Sequence, residues 1–171
     1  VPEPVLVALA LGGNLGPVAT TLRHALRHLE AVLGPLQTAP FYRTAAVSPA
    51  PQPDYLNTAA LGRTTLPPDA VLALAKALEY SAGRRPGPRF GPRPLDVDLL
   101  LWGGLVLTRP ELTLPHPRLR DRRFVLQPLA DLAPDLALPP DGTTVRELLE
   151  GVMDQRVERW RTAAKRSSTE D

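Results

Sequence analysis

Proline constrains this chain more than any other residue. Its 21 copies bunch at 49–53, 86–94, 110–117 and 134–140. The ring fixes φ and removes an amide donor, so these stretches read as stiff loops, and regular structure is confined to the windows between them. Val5 to Leu11 is an unbroken apolar run stopped by Gly12-Gly13-Asn14, the pattern of a buried strand ending in a tight turn. After Pro17, Leu22, Leu26, Leu29 and Leu33 recur at helical spacing until Gly34-Pro35. Residues 36–44, with Phe41, Tyr42 and Thr44, predict a second strand, and Tyr55 to Leu61 a third. Pro68-Asp69 opens a helix striped by Val71, Leu74, Ala75 and Leu78 and ending at Gly83. Leu95 to Trp102 predicts a strand turned by Gly103-Gly104 into a short one at 105–107. Helices are predicted over 122–132, bent at Pro128, and over 145–157. The order β-α-β-β-α-β is that of a ferredoxin-like α/β sandwich, here with additional C-terminal helices.

Composition narrows the function. With 171 residues and 43% hydrophobic side chains, the chain suits one core-bearing domain and not a disordered segment. Residues 1–4 read as an N-terminal extension, 5–161 as a single domain, and 162–171 as a polar tail expected to fray. No cysteine is present, which excludes disulfides, thiolate metal sites and cysteine nucleophiles, and fits a cytoplasmic location. The balance of 20 basic against 18 acidic residues gives only +2, too little for a generic nucleic-acid binder. No stretch reads as a membrane span or leader. All but Lys76 and Lys165 of the basic residues are arginines, whose planar forks suit phosphate oxygens.

The chemistry concentrates in Leu95-Asp96-Val97-Asp98-Leu99-Leu100. Alternate side chains share a face of a strand, so Asp96 and Asp98 point one way and Leu95, Val97 and Leu99 the other. Two carboxylates ~7 Å apart repel by about 2 kcal/mol at an effective dielectric near 20, so the pair calls for a cation. Magnesium, which takes one or two carboxylates and completes its shell with phosphate oxygens, suits it; arginines paired to each aspartate are the alternative. Arg84, Arg85, Arg89 and Arg93 precede the pair, and His116, Arg118, Arg120, Arg122 and Arg123 follow it. Guanidinium forks beside a metal clamp are what a polyphosphate needs. Taken singly, Arg118, Arg120 and Arg123 read as solvated charges. His24 and His28, interleaved with Arg23 and Arg27, read as exposed, not metal-binding. A P-loop and a Gly-x-Ser-x-Gly nucleophile are both absent. Tyr55 and Phe124 are candidates to stack on a flat ligand. Two other classes use parts of this pattern: an Asp-x-Asp nucleotidyl or glycosyl transferase, and an RNA-binding sandwich, for which acidic central-strand residues carry the wrong charge.

The run from Arg89 to Leu100, Arg-Phe-Gly-Pro-Arg-Pro-Leu-Asp-Val-Asp-Leu-Leu, closely resembles the signature of the 6-hydroxymethyl-7,8-dihydropterin pyrophosphokinase family. Gly12 to Leu15, Phe41 to Thr44, Gln52 to Asn57, Leu114 to His116 and Arg122 to Phe124 resemble further segments of it, in order. The resemblance implies a ferredoxin-like fold and transfer of pyrophosphate from ATP to the pterin hydroxymethyl group in folate biosynthesis, releasing AMP. It implies that Asp96 and Asp98 hold two Mg2+ ions. It also implies that Arg84 and Arg93 act on the phosphates, with Glu79, Leu99, Leu112, His116 and Arg122 completing the ATP site. Thr44, Ala45, Val47, Tyr55, Asn57 and Phe124 would form the pterin site. The implied partners are the two substrates alone, with no nucleic acid or membrane, and a monomer is expected. Three positions depart from the family's habit: Gly13 replaces a common serine, Phe90 a frequent tryptophan, and Pro117 an occasional tyrosine. The arginine loop is also about one residue shorter than in the family member compared.

Overall fold

The computed structural model describes residues 2–88 and 91–161. Arg89 and Phe90 of the central motif, and the expected polar tail at 162–171, lie outside the described residues. The elements run β1 (Val5–Gly13), α1 (Val18–Leu33), β2 (Leu36–Thr38), β3 (Tyr42–Thr44), β4 (Tyr55–Thr64) and α2 (Pro68–Ser81). After them come β5 (Asp96–Trp102), β6 (Leu107–Thr108), β7 (Thr113–Leu114), a 3-10 turn at Leu119–Asp121 and α3 (Arg123–Leu132). The chain then forms β8 (Ala137–Leu138), β9 (Thr143–Thr144), α4 (Val145–Glu150) and β10 (Glu158–Arg159).

The main sheet is antiparallel in the order β10-β3-β4-β1-β5, with β2 also paired to β4. This is the ferredoxin-like arrangement, with the first strand central. Strand alternation divides the core in two. Val7, Leu9 and Leu11 of β1, with Leu95, Val97 and Leu99, pack against Leu22, Ala25, Leu29 and Leu33 of α1 and Val71 and Ala75 of α2. On the other face Ala8, Ala59, Leu61, Leu100 and Leu101 pack against Val125, Leu126 and Leu129 of α3 and Val145 of α4.

Consecutive leucines 100 and 101 share that second face because the β1–β5 ladder shifts between Ala8 and Leu9: Leu9 opposes Leu99 while Ala8 opposes Leu101. Leu100 is the extra residue of a β-bulge. The alternation therefore resets, and Trp102 returns to the first core.

Five boundaries differ from the sequence reading. Strand β1 runs on through Gly12 and Gly13, which the sequence reads as its stop, because both still pair with β4. The strand expected over 36–44 is two, because Pro40 has no amide to continue the ladder; Ala39 still donates to the Ala59 carbonyl at 3.0 Å. Strand β4 runs three residues past Leu61, to Thr64. The short strand after the Gly103-Gly104 turn is Leu107–Thr108, paired to β7. The helix expected over 145–157 stops at Glu150. Beyond Gly151 the chain turns and β10 pairs with β3, and Gln155 accepts from the Arg123 amide at the start of α3 (2.9 Å) and donates to the Asp121 carbonyl (2.7 Å). Among the described residues no helix is long and apolar enough to cross a membrane.

Candidate active site

Register fixes what lies at the open end of the second face. One rung across the sheet reads Tyr42, Asn57, Gly12, Asp96; the next reads Ala59, Ala10, Asp98; the third, Leu61, Ala8, Leu101, lies in the core beneath α3. The expected common face of Asp96 and Asp98 is therefore real. Between Asn57 and Asp96 the central strand offers only Gly12 and, one rung in, Ala10, which leaves a trough over the sheet. A side chain at Gly12 would disturb this floor: a Cβ would stand 2.6 Å from Asn57 Oδ1, which would have to move, and 3.2 Å from the Leu56 carbonyl oxygen. Asn57, itself buried, donates from Nδ2 to Thr44 Oγ1 at 3.0 Å.

The carboxylates are held differently. Asp96 is bonded by the Arg84 guanidinium and by Arg93 Nη1, at 3.1 and 3.2 Å to its two oxygens. Arg84 also donates to Glu79 Oε2 at 2.6 Å. Glu79 is a carboxylate on the inner stripe of α2, with only 5% of its side chain exposed. Such a charge needs compensation, and Glu79 has it, since the same oxygen accepts the Val97 amide at 2.9 Å and Lys76 Nζ stands 3.5 Å from the other. Glu79 thus ties α2, Arg84 and the first residues of β5 together. Asp98 is more open, with His116 Nε2 at 3.9 Å as its neighbour.

His116 follows β7 and the cis Leu114–Pro115 bond, and its amide donates to the Leu100 carbonyl at 2.9 Å, so it hangs from the bulge. Its Nδ1 accepts the Arg118 amide at 3.2 Å, which leaves Nε2 as the protonated nitrogen of the neutral ring, directed to Asp98. Burial pulls the imidazole below its ordinary value; Asp98 opposes this, and Arg122 and Arg118 add to it. Burial, then Arg118, likewise lowers Arg122, with Asp98 and Asp96 opposing, and its guanidinium lies 5.3 Å from the Phe124 ring centre.

The structure sorts the remaining candidates. Tyr55 opens β4 on the trough face, and Phe124 enters from the first turn of α3. Burial raises the Tyr55 phenol above its ordinary value, with Asp96 adding to this and Arg93 and Arg84 opposing it. Ala45 and Val47 are exposed on the loop 45–54, Val47 to 92%. Leu99 and Leu112 are buried in the first core, on the opposite sheet face from the carboxylates. Arg118 is exposed, as expected of a solvated charge. Arg120 and Arg123 are instead structural ties: Arg120 binds Asp141 and the Pro139 carbonyl, Arg123 the Met153 and Gln155 carbonyls. His24 and His28 are exposed, as expected. Among the described residues no group of three or more His, Asp or Glu side chains could hold a metal unaided.

The sequence marks Asn14 as part of a turn and of the family-like segment Gly12 to Leu15, and gives its side chain no role. Asn14 is buried to 3% exposure and bonded to both flanking loops. Gly13 beside it has a structural reason to lack a side chain, since a Cβ would meet the Pro94 carbonyl oxygen at 2.6 Å.

A carboxylate pair on a strand, with arginines and a histidine around it and the Asn57 amide on the same rung, is a donor set that suits a polyphosphate with its cation. Residues 8–134 match the family 7,8-dihydro-6-hydroxymethylpterin-pyrophosphokinase (HPPK). The chain is 41% identical over 146 residues to 2-amino-4-hydroxy-6-hydroxymethyldihydropteridine pyrophosphokinase of Synechocystis, covering 84% of this chain and 74% of the relative. It is 40% identical over 155 residues to the enzyme of that name from Pseudomonas aeruginosa, covering 90% and 95%. A mitochondrial folate synthesis bifunctional protein of Arabidopsis thaliana is 41% identical over 127 residues, which span 74% of this chain and 23% of that protein. The fold is shared with the crystal structure of an HPPK-DHPS in complex with substrates (TM-score 0.69, 14% identity, 87% of this chain) and with wild-type Plasmodium falciparum HPPK-DHPS with pteroate (TM-score 0.69, 12% identity, 88%). This chain spans less than half of either, 43% and 45%. The chain belongs to the 7,8-dihydro-6-hydroxymethylpterin-pyrophosphokinase family.

Proposed function

We propose that the trough and its carboxylate rim carry out the family's reaction, with ATP at the Asp96–Asp98 edge and 6-hydroxymethyl-7,8-dihydropterin over Gly12. The observation that carries this reading is the single rung joining Asn57, Gly12 and Asp96, which puts an amide for the heterocycle and a carboxylate for the phosphates on one surface. The pterin hydroxymethyl oxygen attacks the β-phosphorus, the bond from that phosphorus to the bridging oxygen breaks, and AMP leaves with the electron pair. The hydroxyl proton passes to solvent or a phosphate oxygen.

The donor set fits magnesium, since both rim groups are hard carboxylate oxygens and Asp98 is open on one side. Asp96 and Asp98 would hold the ions, two by the family's pattern, and these would supply bridging and neutralisation of phosphate charge. Asp96 already carries two guanidiniums. Arg84 and Arg93 are therefore charge-satisfied before ATP arrives, and exchange Asp96 for phosphate oxygens when it does, as bidentate forks can. Glu79 keeps Arg84 at that position through the exchange. His116 presents Nε2, and Arg122 contributes positive charge on the same side. Leu99 and Leu112 back the adenine side from within the first core. Asn57 offers both donors and an acceptor to the pterin edge, Thr44, Ala45 and Val47 offer backbone groups, and Tyr55 and Phe124 offer ring faces. The loops 45–54 and 84–94 exclude water, which would compete as the acceptor. The chain works as a monomer in the cytoplasm on this reading.

The test incubates the protein with ATP, Mg2+ and hydroxymethyldihydropterin and separates the nucleotides. AMP with pterin diphosphate is expected, and ADP or no turnover overturns the assignment.

A further inference from the structure

Asn14 spends every polar atom of its side chain on a loop. Its Oδ1 accepts the Arg93 amide at 2.8 Å. Its Nδ2 donates to Gln52 Oε1 at 3.1 Å and to the Pro53 carbonyl at 3.0 Å. Its own amide and that of Leu15 both donate to the Arg93 carbonyl, at 2.9 and 3.1 Å. Both backbone polar groups of Arg93 are thus bonded to residues 14 and 15, while its guanidinium rests on Asp96. Gln52 and Pro53 of the loop on the pterin side and Arg93 of the loop on the phosphate side are thus bonded to the same amide.

That amide is buried and stands just after the rigid central strand. An Asn side chain cannot rotate to serve one loop without releasing the other, because the acceptor and the donor are the two ends of one planar group. From this geometry we propose that Asn14 is a positioning residue coupling the two substrate sites: ordering of the 45–54 loop by pterin orders the Arg93 backbone, and the reverse. The inference rests on the loop assignments made above. Asn14 touches neither substrate. It acts through Arg93 on one side and Gln52 and Pro53 on the other.

The experiment uses the full chain, with hydroxymethyldihydropterin and a non-hydrolysable ATP analogue plus Mg2+ as probes. Calorimetry gives the pterin Kd with and without saturating analogue, and the ratio is the coupling factor. The wild type is expected to show coupling within the usual range of about 5–150-fold. Asn14→Ala is expected to bring the ratio close to one. Asn14→Asp keeps the size and the acceptor for the Arg93 amide but loses both donations to the 45–54 loop. It should abolish coupling while leaving analogue affinity near wild type, which general loosening of the fold would not do. Should Asn14→Ala fail to fold, Asn14→Asp and the loop variant Gln52→Ala, expected to weaken coupling, carry the test. A wild type without coupling, or coupling unchanged in Asn14→Asp, overturns the proposal. Formation of AMP by the same wild-type preparation keeps that outcome distinct from failure of the functional assignment.

Discussion

The two ends of one sheet face are built from the same strands and carry opposite chemistry. At one end Leu61, Ala8 and Leu101 lie under α3 and are almost wholly covered. Two rungs away the strands present Asn57, Gly12 and Asp96, and loops take the place of the helix. The covered end stabilises the molecule by removing apolar area from water. The open end could not do so, and its charge at Asp96 is retained by pairing with Arg84 and Arg93. Continuity of the strands connects the two: packing beneath α3 sets where the carboxylates stand, so the site inherits its precision from the core.

The contrast can be broken from either side. Asp98→Ala or Asp96→Ala should each lower AMP formation by about 10²–10³-fold, the scale for removing a charge-stabilising group, with little loss of fold. Steady-state assay and thermal melting check it, and an active variant would remove the carboxylate pair from the account. Leu126→Ala, in the covered end, should do the reverse: about 3 kcal/mol less stability in urea, with kcat retained below the melting transition. Gly12→Ala lies between, since its methyl displaces the Asn57 amide. A KM for pterin raised about tenfold, or about 1.4 kcal/mol, is expected, with a smaller change for ATP.

The smallest effect belongs to Tyr42, whose hydroxyl donates to Asp131 of α3 and whose pKa is raised to about 12 by burial and by that carboxylate. The folded value lies above the unfolded one, so the stability it confers is complete below about pH 10 and is lost as pH rises through about 12. Tyr42→Phe should be about 1 kcal/mol less stable at neutral pH. Its stability should also fall less between pH 10 and 12, as denaturant titrations at the two values would register.

What the sequence disclosed follows from the range of each signal. Val5 to Leu11, the leucine stripe of α1 and the Asp-x-Asp alternation are local patterns, and all three stand where the pattern puts them. The 36–44 segment has the aromatic and β-branched content of one strand, yet Pro40 divides it in two. The helix expected beyond Glu150 failed for a tertiary reason, since Gln155 is committed to the start of α3, 32 residues away. Asn14 was illegible as more than a turn residue because its partners lie 38, 39 and 79 positions along the chain. The arginines divided in the same way: nothing local separates Arg122, beside the carboxylates, from Arg120 and Arg123, which fasten loops.

The supernumerary Leu100 has a consequence for how such a site could be altered. Excising it would leave both aspartates and Trp102 facing as they do now, because β1 already skips it in pairing. What would vanish is the carbonyl from which His116 is suspended, together with one buried leucine of the second core. The position of His116 and the facing of the two aspartates are therefore set by different parts of β5: the first by the bulge, the second by the register before it.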